Sequence, residues 1–233
     1  MSFIITIHSG EGVVMASDSR TTYSTTVQQG NGVQLKQLGS HISDTTYKTF
    51  VTSNGVGIST CGDSSLNNSP IASYIENFIS SHPNESVIEM KDSILSYFRN
   101  IKPDLATIFI LAGYIEEENL FHYHCYRVNI AANLIEDCSD APAVWDGVRN
   151  VMSRLTSELY FKNDDGSYTK HSGNRILWEY FTLQDAIDFA RYAVQATIDT
   201  MKFQETVKTV GGPVDVLVIR PTSFEWISRK ELK

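Results

Sequence analysis

The chain has 233 residues with 42% hydrophobic content, enough to enclose a sizeable core in one large domain spanning residues 1–233. Its 19 Lys and Arg against 27 Asp and Glu give a formal net charge of -8, and the basic residues are scattered, which argues against a nucleic-acid-binding face. No stretch nears the roughly 18 apolar residues of a membrane helix, and Cys61, Cys125 and Cys138 are odd in number with no CxxC pair, so the expectation is a soluble, cytoplasmic protein away from membranes.

In chain order, apolar and β-branched runs over residues 3–7, 12–17, 47–51 and 55–60 read as strands. Between them, residues 21–46 are rich in Thr, Ser, Gln and Gly and form a long excursion, with a strand expected around residues 33–38. An excursion of that length is a candidate functional or partner surface. Residues 64–80 and 85–98 carry apolar side chains at helical spacing, as in Val87, Met90, Ile94 and Phe98. Residues 105–114 and 120–128 read as two strands joined by a turn through Glu116–Asn119. The spacing of Val144, Val148, Val151, Met152 and Leu155 predicts a helix over residues 142–161. A second helix over 182–203 opens on the cap-like Thr182 and carries Ala186, Ala190, Ala193 and Val194 on one face. Strands at 214–220 and 224–227 close the chain.

The resulting order is strands, two helices, strands, two helices, strands. A doubly wound parallel sheet requires single alternation of strand and helix, so the predicted class is α+β, arranged as a four-layer αββα sandwich with two stacked sheets and a helical pair outside each.

The stretch Gly12-Val13-Val14-Met15-Ala16-Ser17-Asp18-Ser19-Arg20-Thr21-Thr22 resembles the N-terminal motif of proteasome β-type subunits and their bacterial relatives, which are N-terminal nucleophile hydrolases. Gly55–Asp63 and Val210-Gly211-Gly212-Pro213-Val214-Asp215-Val216 are similar to that family's oxyanion-loop and late-strand motifs, in the same order. The resemblance implies a peptide-bond hydrolase whose nucleophile is a processed N-terminal residue. Asp18 lies sixteen and Arg20 eighteen residues after Ser2, the family's separations, and this register selects Ser2 over Thr6.

The chemistry is self-consistent. Once Met1 is removed, Ser2 carries a hydroxyl and a free α-amine, and the amine, with a reference pKa of about 7.7–8.0, is the base that activates the hydroxyl. A neighbouring lysine ammonium lowers the amine's pKa further, and an aspartate holds the lysine. By resemblance the lysine is Lys48, in Tyr47-Lys48-Thr49-Phe50, with Lys36 in reserve, because gapless counting lands on Gln34. Thr22 is implied to offer backbone groups to an extended peptide, and a backbone N–H near Thr60 or Cys61 to face the oxyanion. Arg20 and Glu205 are implied in support, Glu205 as the nearest candidate for the family's late acid.

Three departures stand out. Serine replaces the usual threonine, Ser59-Thr60-Cys61-Gly62 replaces the expected Ser-Gly or Ala-Gly with one residue fewer, and the family's central Ser-Gly motif has no evident counterpart. The resemblance also implies a homo-oligomeric ring, peptide or unfolded-protein substrates and an ATP-dependent unfoldase as a possible partner, without metal or other cofactor. A non-catalytic ring or scaffold subunit and a small-molecule amidase are the competing readings. His122 and His124 have H-x-H spacing but no third ligand nearby, Gly211-Gly212-Pro213 lacks the Lys and helix of a phosphate loop, and Asp164-Asp165-Gly166 reads as a turn.

Overall fold

The computed structural model describes residues 2–28, 34–170 and 175–231, with side chains outside 25–38. The elements run β1 (Phe3–Ser9), β2 (Gly12–Ser17), β3 (Thr21–Gln28), β4 (Gln34–Ser43), β5 (Thr49–Val51), β6 (Gly57–Gly62), β7 (Ser65–Leu66), β8 (Ser69–Pro70), α1 (Ile71–Ser81) and α2 (Val87–Ile101). They continue with β9 (Thr107–Glu117), β10 (Leu120–Asn129), β11 (Leu134–Asp137), β12 (Ala143–Gly147), α3 (Asn150–Thr156), β13 (Tyr160–Lys162), β14 (Tyr168–Lys170), α4 (Leu183–Phe203), β15 (Asp215–Arg220) and β16 (Ser223–Ser228). The protein is thus mixed α/β, with four helices among the described residues.

Two five-stranded sheets dominate, ordered β12-β1-β2-β15-β16 and β11-β10-β9-β6-β5. Every neighbouring pair in them is antiparallel. Strand alternation explains why β1 is apolar on both faces. Phe3, Ile5 and Ile7 pack with Ala186, Ala190 and Val194 of α4. Ile4 joins Val13, Met15 and Leu217 against Cys61, Ile110 and Ala112 of the other sheet. A third cluster seats Ile75, Phe78, Met90, Ile94 and Phe98 of α1 and α2 on Ile58, Phe109, Leu111 and Val128. Each such fully buried Ile, Met or Phe contributes about 1.5–3 kcal/mol.

Local signals start α2 and α4 close to where the sequence indicates. Ser86 caps α2 in a capping box with Glu89, and Thr182 caps α4 with Asp185. Ala186, Ala190 and Ala193 let the α4 backbone approach the sheet closely. Between β9 and β10, Glu118 and Asn119 both have positive φ, the geometry of a two-residue hairpin turn.

Three expectations are corrected. Residues 142–161 are not one helix: 143–147 form β12, paired with β1, and the helix covers only Asn150–Thr156. Alternate burial of Val144 and Asp146 is the strand period hidden under a helix-like spacing of valines. The helix expected from residue 64 begins at Ile71, after the short β7–β8 pair. The 21–46 excursion is largely a β-hairpin of β3 and β4; Val33, where a strand was expected to start, lies outside the described residues, and the strand is seen from Gln34.

Candidate active site

Asp18, completely buried just beyond β2, is the junction of the site. Its Oδ1 accepts from the Phe3 N–H at 3.0 Å and from Lys48 Nζ at 2.8 Å. Its Oδ2 accepts from the N–H groups of Arg20 at 3.1 Å and Gly211 at 3.0 Å. Four donors from the chain start, the β2–β3 connection, β5's approach and the segment before β15 meet on one carboxylate. A buried charge needs this: each oxygen is satisfied, and an ammonium balances the charge.

Lys48 is 4% exposed. Besides Asp18, its ammonium donates to the Arg20 carbonyl at 2.5 Å. Burial pushes its pKa below the ordinary lysine range, against the opposing pull of the Asp18 carboxylate. An ammonium has three donors, and two are accounted for. Lys36, the alternative lysine, lies on β4 among the residues whose side chains are not described.

Ser2 is buried at the head of β1, one peptide bond from the Phe3 N–H that shares Asp18 Oδ1 with Lys48. Its carbonyl accepts from the Val148 N–H at 2.8 Å. The preceding Gly147 has φ +93°, and a Cβ there would stand 1.9 Å from the Ser2 carbonyl oxygen, so only glycine fits. Asp146 ties this loop down by accepting from the Gly147 N–H and from Arg127 Nε, both at 2.6 Å. Met1, whose removal the chemistry requires, lies outside the described residues.

Ser2, Lys48, Thr22, Thr60, Cys61 and Glu205 all line one cleft of about 920 Å³. Arg20 lines it too and clasps Asp44 in a bidentate pair at 2.7 Å for both bonds. That bond holds Asp44 below the usual carboxylate range. Thr22 Oγ1 donates to the Lys208 carbonyl at 3.3 Å, so β3 is tethered to the segment after α4. Glu205 is exposed on that segment, at the rim and apart from the Asp18 junction.

The oxyanion assignment shifts. The Thr60 N–H is already spent on the Lys48 carbonyl at 2.8 Å. The Cys61 thiol packs into the inter-sheet core, where burial pushes its pKa up to about 12. Gly62 follows, with φ +119° and a Cβ position 2.1 Å from the Ala106 carbonyl oxygen. Side-chain reasoning passed over Gly62, Val148 and Gly211 because their backbone carries their part; the glycine signal in Cys61-Gly62-Asp63 was the available clue. His122 and His124 lie on β10, and among the described residues no group of three or more metal-ligating side chains is assembled. No helix among them is long and apolar enough to cross a membrane.

No protein-family model matches the chain, and no curated protein matches it significantly.

Proposed function

We propose that the protein is a proteasome β-type N-terminal nucleophile hydrolase that cleaves peptide bonds through Ser2 after loss of Met1. One observation carries the reading: Lys48 Nζ and the N–H next to Ser2 share the buried Asp18 Oδ1 atom, and Ser2 and Lys48 line one cleft. The three clusters of core side chains, outside and between the two sheets, support the four-layer αββα arrangement.

In this mechanism the Ser2 α-amine takes the proton of the Ser2 hydroxyl as Oγ attacks the substrate carbonyl carbon. The tetrahedral oxyanion is held by a backbone donor, which we assign to Gly62. In a strand, the N–H groups of alternate residues point to the same edge, so Gly62's follows that of Thr60, past the start of β5. The α-ammonium then gives its proton to the departing amine as the C–N bond breaks, leaving an ester on Ser2. Water, deprotonated by the same amine, hydrolyses that ester. Lys48 holds the amine's pKa down by like charge, and Asp18 holds Lys48. The edge of β3 away from β4 receives an extended peptide by strand addition, with Thr22 in reach.

A homo-oligomeric ring in the cytoplasm, working on peptides or unfolded protein with an ATP-dependent unfoldase, is the setting this activity implies. The three free cysteines support a reducing compartment. The test combines intact mass, peptide hydrolysis and an acylating probe on wild type and Ser2→Ala. Loss of Met1, labelling at Ser2 and abolished hydrolysis in the variant are expected. Retained Met1 with no hydrolysis would favour the non-catalytic scaffold subunit, hydrolysis confined to small acyl-amides the amidase, and wild-type hydrolysis in Ser2→Ala would overturn the mechanism.

A further inference from the structure

A second buried Asp–Lys pair stands behind the first. Asp215, completely buried at the start of β15, accepts from the Lys230 backbone N–H at 2.8 Å and pairs with the Lys230 ammonium. Lys230 Nζ also lies 4.5 Å from the centre of the Tyr47 ring, and the Arg229 guanidinium lies 4.8 Å from it. Tyr47 in turn donates its hydroxyl to the Lys230 carbonyl at 3.1 Å. The segment after β16 therefore grips Tyr47 by ring and hydroxyl, and Tyr47 is bonded directly to Lys48.

We propose that Lys230 is a positioning residue for Lys48, acting through Tyr47. The inference rests on Lys48's place in the proposed hydrolytic site. Lys48 is anchored at its ammonium by Asp18 and at its carbonyl by the Thr60 N–H. The chain before it is not in a strand, so Tyr47 has no sheet partner to fix it. Without the grip of the segment after β16, the backbone leading into Lys48 is held by the Thr46 N–H to the Ser19 carbonyl and by the packing of Tyr47 against the core beneath α1 and α2. A face of an aromatic ring attracts cations, and two of them on Tyr47 hold its ring angle as well as its place.

Charge adds a second effect. Asp18, Asp44 and Cys61 favour the charged Lys48 ammonium, while Lys48 and Lys230 repel each other and Asp215 and Asp18 favour the charged Lys230. Burial lowers the Lys230 pKa, and Asp215 opposes that shift. Removing the Lys230 charge while Asp215 stays raises the Lys48 pKa, because one positive neighbour is lost and a negative one is uncovered.

The experiment compares wild type with Lys230→Met, Lys230→Arg and Tyr47→Phe by kcat and KM, and by NMR titration of the 13C-labelled Lys48 side chain. Lys230→Met is expected to lower kcat on the order of 100-fold with KM unchanged, the scale of a misplaced catalytic group. Its Lys48 titration midpoint moves upward, and Lys230→Arg restores most of both. Tyr47→Phe keeps the ion pair and loses the hydroxyl bond, so it lowers kcat by a smaller factor even if Lys230→Met fails to fold. Folded variants with wild-type kcat and an unmoved Lys48 midpoint would overturn the proposal. The titration needs no hydrolytic activity, so a wild-type protein that cleaves nothing refutes the proposed function while the Lys48 shift still decides the role of Lys230.

Discussion

The two buried Asp–Lys pairs have the same exposure, with side chains 5% and 0% accessible in each, yet they are wired differently. Asp215 takes its bonds from the backbone and side chain of one residue, Lys230. Asp18 gathers four donors from four places in the chain, and its partner Lys48 lines the cleft. Burial and pairing alone therefore do not mark a site, since a buried ion pair is often no better than a well-packed apolar one. The distinguishing feature of Asp18 is the set of separate segments that depend on it.

The largest expected effect breaks that junction. Asp18→Ala leaves the Lys48 ammonium and three N–H groups without their acceptor, and should cost about 3–5 kcal/mol in chemical denaturation. Asp215→Ala should cost less, and the reverse order would undo the comparison. A middle-sized effect concerns pH. Burial lowers Lys48 and Lys230 from 10.5, so between each lowered value and 10.5 the unfolded chain binds more protons and stability climbs as pH rises. The climb is at most about 1.4 kcal/mol per pH unit for each lysine. Subtracting the Lys48→Met curve from wild type isolates the Lys48 part, and parallel curves would contradict the lowering of the Lys48 pKa by burial. The smallest effect is the sharpest. Exchanging both members of the second pair, Asp215→Leu with Lys230→Met, should leave stability within about 1 kcal/mol of wild type. If the pair matters chiefly for placing Lys48, kcat falls in that same stable protein.

Much of this was legible in the sequence where a local signal and the tertiary context agree. The α2 helix shows both its capping box and its period in Ser86, Glu89, Met90, Ile94 and Phe98, and β1 and β2 are apolar on both faces because both faces are covered. Strand β12 was not legible, because Val144, Val148 and Val151 imitate a helical stripe and only pairing with β1 selects the extended form. The β3–β4 hairpin was obscured by its polar, threonine-rich composition, which shows only broken apolar alternation. Within the site, Asp18 and Lys48 were readable because their side chains do the work. Val148 contributes only an N–H, which nearly every residue type possesses, and Gly211 stood out as part of a motif without its N–H being assigned a partner.

The reach of the Asp18 junction also sets a schedule. One of its four donors, Gly211, follows it by 193 positions in the chain. At about 5–20 residues per second, a ribosome needs on the order of 10–40 s to pass from one to the other. Throughout that interval the carboxylate lacks one of its four donors. The Asp18 carboxylate of a nascent chain therefore gains its last donor only when synthesis has run nearly to the last strands described.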